Sequence, residues 1–264
     1  MDQQLLPPDV ICEEYDHLHS CATVDEVRWI LRHCGRHTSY WTYFTLRLTT
    51  GMRPDEACKL TLYHLSPDCG TITYRVDKPS TRYQKTQGYI QRRKHRRVTL
   101  DPWTQAQLRA YLVRTCRVVD GVFISPHPGQ KLFPWTHMGV VGAYWYKMRQ
   151  RMKREGYDSL RTIREYHRPK TGKHDRIYIL RPHILRHFSA SVMFYKLGNL
   201  ASVRDWIKHD DVEITNGYLH SAEALGTTPE FLERSSWAVI LGYDEQQDTL
   251  LTGEATAQTQ LDSY

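Results

Sequence analysis

Between Pro67 and Leu100 the hydrophobic rhythm of the chain changes, and this change limits the fold more than any other feature. Pro67-Asp68-Cys69-Gly70 is a turn signal. TITYRV (71–76) then alternates apolar and polar residues and is rich in β-formers, the pattern of a half-buried strand. RRKHRRVTL (92–100) reads as its antiparallel partner, with a long basic connection between them. On both sides the period is helical. Thr23-Val24-Asp25-Glu26 is a capping box, after which Val24, Val27, Ile30 and Leu31 recur at helical spacing. YWTYFTLRLTTG reads as a second helix stopping near Gly51. A third starts near Pro54, because proline fits a first helical turn, and carries Ala57, Leu60 and Leu62. Helix returns over 102–117 and 136–155, with GVFIS (121–125) as a short strand between them. The basic, turn-rich stretch 157–181 reads as a loop or hairpin. PHILRHFSASVMFYKLG is helical from Pro182 to a stop at Gly198. Asn199 caps the next helix, which buries Val203, Trp206 and Ile207, and a further short helix holds Tyr218. The expected fold is mainly α with a small antiparallel β-sheet (α+β). Residues 1–22 form an irregular N-terminal segment, 23–220 the main domain, and 221–264 an acidic C-terminal tail. WAVILGY (237–243) is the one apolar stretch of that tail, and the last 20 residues read as disordered.

Charge is unevenly distributed along this frame. The 264 residues carry a net +7, yet residues 219–264 hold eight acidic side chains and one arginine, so the remaining body is strongly basic. Such a body suits a polyanion such as nucleic acid. No apolar run approaches a membrane span, and MDQQLLPPDVICEEY lacks a signal-peptide pattern, so the expected compartment is the cytosol, or the nucleus in a eukaryote. Six cysteines (12, 21, 34, 58, 69, 116) fit reduced thiols there. Cys12, His17, His19, Cys21, His33, Cys34 and His37 raise the question of zinc, but the first Cys pair has the wrong spacing for a finger, and no metal is expected.

Three separated stretches carry the chemistry. TTGMRPDEACKL (49–60) places Arg53 at the mouth of a helix. HILRH (183–187) puts His183 and Arg186 three apart on one helical face, with His187 four from His183. WIKHDDVEITNGYLH (206–220) holds His209 and, nine positions later, Tyr218. Two arginines, two or three histidines and a tyrosine make chemical sense around one phosphate. A guanidinium fork matches two non-bridging oxygens and is always charged. Histidines hydrogen-bond and move protons near neutral pH. A tyrosine, with a free pKa of about 10, becomes a nucleophile where cations favour its phenolate. Tyr218 taken alone reads better as a packing residue, and His187 also reads as a residue bonded within its helix or to a neighbouring loop.

Arg53 in TGMRPDE, His183-x-x-Arg186 and His209…Tyr218 closely resemble, in order and spacing, the boxes of the tyrosine recombinase (phage integrase) family, which includes Xer-like recombinases. The resemblance covers about residues 23–220, making that span the catalytic domain. It implies that Tyr218 cuts DNA by forming a 3′-phosphotyrosyl bond, without ATP, metal or other cofactor. It further implies that Arg53 and Arg186 bind the phosphate, His183 accepts a proton, His209 donates to the phosphate, and Glu56 holds Arg53. A lysine on the first hairpin protonates the leaving 5′-oxygen; Lys78 matches best, with Lys85 as its rival. Within this fold Arg92, Arg93, Lys94, Arg96, Arg97, Lys147, Arg151, Lys170 and Lys173 are expected to face DNA phosphates. The implied partners are double-stranded DNA and further copies of the chain, as a tetramer on DNA, with an accessory DNA-binding protein as an additional candidate. WAVILGY is expected to dock on a neighbouring subunit.

The chain also departs from the family. Arg53 leaves too little preceding chain for the usual core-binding domain, Lys208 stands where glycine is common, and two basic insertions lengthen the span from Arg53 to Tyr218. Two alternatives stay open: a type IB-like topoisomerase or hairpin resolvase, and a non-catalytic DNA-binding protein that kept the fold.

Overall fold

The computed structural model describes residues 21–75, 95–135, 137–156, 162–167, 174–178, 180–207, 216 and 219–244. In chain order the elements are α1 (Val24–Cys34), α2 (Ser39–Thr50), α3 (Pro54–Cys58), β1 (Thr71–Arg75), β2 (His95–Thr99), α4 (Pro102–Thr115), β3 (Arg117–Val119) and β4 (Val122–Ile124). They continue with α5 (Met138–Arg154), β5 (Thr162–His167), β6 (His174–Tyr178), α6 (Ile184–Leu197), α7 (Leu200–Ile207), α8 (Pro229–Arg234) and α9 (Trp237–Ile240). The strands pair as three antiparallel two-stranded sheets, β1–β2, β3–β4 and β5–β6. The fold is thus mostly helical with small antiparallel sheets. Among the described residues no helix is long and apolar enough to cross a membrane.

Two compact units divide the chain. The first comprises Gly35–Met138, Trp237–Val239 and Tyr243–Tyr264. Its α2 starts where the Thr38 hydroxyl accepts the Trp41 N–H, and it stops at Gly51, whose φ of 64° lies where glycine is favoured. An aromatic core fills this unit: Trp41, Tyr43, Phe44, Trp103, Tyr111, Phe133 and Trp135 are all buried. Phe133 and Trp135 stack at 5.2 Å, and Tyr43 meets Trp135 edge-on at 5.5 Å. Asp101 caps α4 by accepting the Thr104 N–H.

Strand register decides what the β1–β2 pair shows to each side. Ile72 faces Val98 and Tyr74 faces Arg96 across the ladder, and all four are buried. The intervening His95, Arg97 and Thr99 are exposed. Period-two alternation therefore corrects one expectation. Arg96 is 1% exposed and faces the interior, so it cannot contact DNA there, whereas Arg97 can.

The second unit comprises Met1–Cys34, Gly139–Ser236 and Ile240–Gly242. The expected capping box opens α1: Thr23 N–H donates to Glu26 Oε2 at 2.8 Å, and Glu26 N–H to Thr23 Oγ1 at 3.2 Å. Val141, Trp145, Met148 and Met152 recur at helical spacing as the buried face of α5. Trp145 also donates its indole N–H to the Leu180 carbonyl at 2.7 Å. Ala190 of α6 packs with Val203 and Ile207 of α7, bordered by Phe194, Trp206 and Leu219. Asn199 caps α7 through the Ser202 N–H, and Gly198 ends α6 at φ 71°.

Several sequence expectations shift. The helix from Pro54 ends at Cys58, and Leu62 begins a separate 3₁₀ turn, Leu62–His64. The α4 helix stops at Thr115 because Arg117–Val119 pairs with Val122–Ile124. Within the stretch read as a loop or hairpin, β5 and β6 pair antiparallel, with the register broken between Thr162 and Arg164. Residues 221–244, read as the start of a tail, hold α8 and α9. Within WAVILGY, Trp237, Ala238, Ile240 and Leu241 are buried in their own chain. Burial of that many apolar side chains is reason enough for the segment to fold back.

Candidate active site

In the first unit the described site residues gather around Glu56. Arg53 directly precedes α3, in extended conformation, and Pro54 begins the helix. The Glu56 carboxylate reaches back to it twice, taking Arg53 Nη1 on Oε1 at 2.9 Å and the Arg53 backbone N–H on Oε2 at 2.8 Å. The second bond is the reciprocal arm of a helix-capping arrangement, here fixing an arginine. Glu56 is almost fully enclosed, while the Arg53 side chain keeps 18% of its surface exposed. The guanidinium is thus held by one edge with donors left for an anion.

In the second unit the site residues sit on and around the first turns of α6. Arg186 is fully buried and donates through Nη2 to the Ile207 carbonyl at 2.7 Å. Ile207 ends α7, so a guanidinium meets a helix C-terminus, where positive charge is stabilised. The rings of His183 and His187 lie edge-on at 5.5 Å, and His187 and His220 are 5.8 Å apart. Burial, then the charges of His183, His220, Arg181 and Arg186, push the His187 ring down to about 2. His187 therefore stays neutral near pH 7. Leu185 and Phe188 point into the core, as their helical positions require.

The stretch bearing His209 and Tyr218 is fastened to α6 at both ends. Arg186 holds Ile207 just before it. Just after it, the His220 N–H donates to Ser191 Oγ at 3.0 Å and the Ala222 N–H to Tyr195 Oη at 2.8 Å. His209, Tyr218, Lys78 and Lys85 themselves lie outside the described residues, as do Arg92, Arg93, Lys94, Lys170 and Lys173. Lys147 and Arg151 are exposed on α5, and Arg151 is bonded to Glu155 at 2.9 Å.

Tyr74 and His220 were missed by the sequence reading. Tyr74 Oη donates to Glu56 Oε2 at 3.4 Å, which depends on a strand register that local sequence does not reveal. His220 follows Tyr218 by two positions and has no periodic or motif signal of its own. Of the thiols and imidazoles considered for zinc, Cys21 Sγ bonds the Ala224 carbonyl and His33 stacks on Trp29 at 3.8 Å, while Cys12, His17 and His19 lie outside the described residues. Burial pushes the Cys34 thiol up to about 12 and Cys69 up to about 11. Among the described residues no three His, Cys, Asp or Glu side chains converge for a metal.

Comparison with known proteins follows the same outline. XerA recombinase superposes with a TM-score of 0.51 at 17% identity, over 89% of this chain and 68% of its own. The Tn1549 transposon integrase in complex with circular intermediate DNA gives 0.50 at 15% identity, over 83% and 68%. XerH site-specific recombinase, in a post-cleavage complex with palindromic difH substrate, gives 0.46 at 20% identity, over 76% of this chain. The chain spans about half (49%) of that XerH chain. No curated protein matches. The shared catalytic-domain fold of XerA and the Tn1549 integrase agrees with a model of the phage integrase family that matches residues 21–224, and the chain therefore belongs to the phage integrase family, the tyrosine recombinases.

Proposed function

We propose that the protein is a site-specific DNA recombinase or integrase that cuts and rejoins duplex DNA through Tyr218. The phenol oxygen of Tyr218 attacks a backbone phosphorus, and the bond to the 5′-oxygen breaks. The strand is left joined through its 3′-phosphate to the tyrosine. His183 takes the phenol proton, and Lys78, with Lys85 as its rival, gives a proton to the departing 5′-oxygen. Arg53 and Arg186 hold the non-bridging oxygens where negative charge develops, and His209 adds a hydrogen bond. The phosphotyrosyl ester keeps the energy of the broken phosphodiester, so attack by another 5′-hydroxyl rejoins DNA without ATP. Exchange of two duplexes requires four cuts and hence a tetramer on DNA. Exposed Arg97, Lys147 and Arg151 supply phosphate contacts that position the duplex.

The setting of Arg53 supports this reading most directly. Glu56 fixes one edge of its guanidinium while leaving surface for an oxyanion, which suits phosphate binding better than a purely structural ion pair. DNA in the complex of the Tn1549 integrase is in keeping with the same substrate class. A nicked duplex carrying the cognate site tests it. The wild-type protein is expected to give a denaturation-resistant protein–DNA species, and Tyr218→Phe none, because phenylalanine keeps the ring and loses the oxygen. Relaxation of supercoiled DNA lacking that site would instead indicate a topoisomerase.

A further inference from the structure

Behind Arg53 stands a chain of groups that the proposed reaction does not touch. Glu56 Oε2 accepts the Tyr74 hydroxyl at 3.4 Å, and the Tyr74 oxygen accepts from Arg96 Nη1 at 2.8 Å. Arg96 also donates through Nη2 to the Thr50 carbonyl, and its guanidinium lies 5.9 Å from the Tyr74 ring centroid. Chemistry fixes the direction of the chain. Arginine has no acceptor, so the Tyr74 oxygen must accept from Arg96; an ionised carboxylate has no proton, so the Tyr74 hydroxyl must donate to Glu56. Each bond polarises the next.

We propose that Tyr74 and Arg96 are positioning residues, which hold Glu56 and through it set the orientation of Arg53 toward phosphate. The proposal rests on reading Arg53 as a phosphate ligand. Its placement along the chain carries the argument. Thr50 lies three residues before Arg53 and Glu56 three after, so Arg96 and Tyr74 grip both flanks of the short TTGMRPDE connection. Both residues come from one cross-strand pair, Tyr74↔Arg96, on the buried face of β1–β2. A slip of one residue in that ladder turns one of the two side chains outward and breaks the chain of bonds between the flanks.

Electrostatics points the same way. An enclosed Glu56 paired with Arg53 alone forms a neutral couple. Arg96, buried beside them, makes the cluster net cationic, which favours a bound oxyanion. A buried guanidinium is tolerated only with acceptors, and the Thr50 carbonyl and Tyr74 oxygen supply two. The strands bearing Tyr74 and Arg96 also flank residues 76–94, which include Lys78 and Lys85. The base of the lysine-bearing connection is thereby tied to the carboxylate that orients Arg53.

Two substitutions in the full-length protein separate positioning from mere support of the fold. Tyr74→Phe removes a single hydroxyl and keeps the ring; Arg96→Lys keeps the charge and loses the fork. Tyr111→Phe, which removes a buried hydroxyl donated to the Leu132 carbonyl, is the structural control. Three quantities are read: the single-turnover rate of covalent adduct formation on a nicked cognate duplex, the Kd for that duplex, and the guanidinium NMR signals of Arg53 in DNA-free, arginine-labelled protein. The Arg53 signals are assigned from Arg53→Lys. Tyr74→Phe is expected to slow the adduct roughly tenfold, on the scale of one lost orienting hydrogen bond, with Kd within about twofold of wild type. The Arg53 signals should broaden from faster rotation, and Arg96→Lys should act in the same direction. Tyr111→Phe should lower Tm and leave the Arg53 signals in place. The inference is overturned if Tyr74→Phe and Arg96→Lys lower Tm but leave both the rate and the Arg53 signals unchanged. A wild-type protein that forms no adduct overturns the proposed reaction instead, and the Arg53 signals then decide the positioning by themselves.

Discussion

His187 carries a pH consequence that can be worked out at the scale of a single side chain. Burial and neighbouring cations hold its folded pKa far below the unfolded value of about 6.5. The unfolded chain therefore binds this proton first as pH falls. The stability linked to the neutral ring is fully present above about pH 6.5 and is lost below it, by at most about 1.4 kcal/mol per pH unit. His187→Asn removes the titration, so urea midpoints measured from pH 7 to pH 5 should fall less steeply than in wild type. Glu56→Gln is a second test at this scale. An amide offers one acceptor oxygen where the carboxylate uses two, so either Arg53 or Tyr74 loses its partner. Single-turnover cleavage is expected to drop by roughly one to two orders of magnitude, the cost of misplacing a catalytic charge. Both arginines and His183 were legible as candidates because their residue types and order match a motif. The neutrality of His187 was not, because desolvation arises from neighbours that are remote in sequence.

At the scale of elements, α6 is the platform of the second unit. Arg186 leaves it to hold the end of α7, while Ser191 and Tyr195, farther along the helix, accept the backbone of His220 and Ala222. Ser191→Ala leaves the buried His220 N–H without that acceptor. Stability should fall by about 1 kcal/mol, and amide exchange at His220 should quicken by about tenfold. Gly198→Ala forces a side chain into the left-handed region at the end of α6 and should cost about 1 kcal/mol, read from the thermal melt. Helices with caps, such as α1 and α6, were legible because Thr23, Glu26 and Gly198 act through near neighbours in the chain. The three-residue β3 was overlooked: Arg117–Val119 has too few alternations to show a period, and only pairing with Val122–Ile124 makes it a strand.

For the whole molecule, the acidic end of the chain changes its meaning. Trp41 donates its indole N–H to the Tyr243 hydroxyl at 2.7 Å, and Arg36 lies over the Tyr243 ring at 5.1 Å. In the other unit the Arg28 side chain donates to the Ile240 carbonyl at 3.0 Å. Deleting residues 237–264 therefore strips partners from both units and should lower stability by several kcal/mol, seen as a lower and broader thermal transition of the isolated protein. A segment that served only to dock on another copy would leave the monomer's melt unchanged.

The sequence by itself determined the alternation of helix and strand and the motif residues that mark the family, because caps, periodicity and motif order act over a few neighbouring positions. Tertiary structure alone decided that Arg96 turns inward to Tyr74 while Arg97 turns out, that Glu56 has a second partner, and that the apolar stretch near the C-terminus folds back on its own chain. Each of these depends on a register or a contact between residues far apart in the chain, and local spacing does not specify which distant surface a side chain meets.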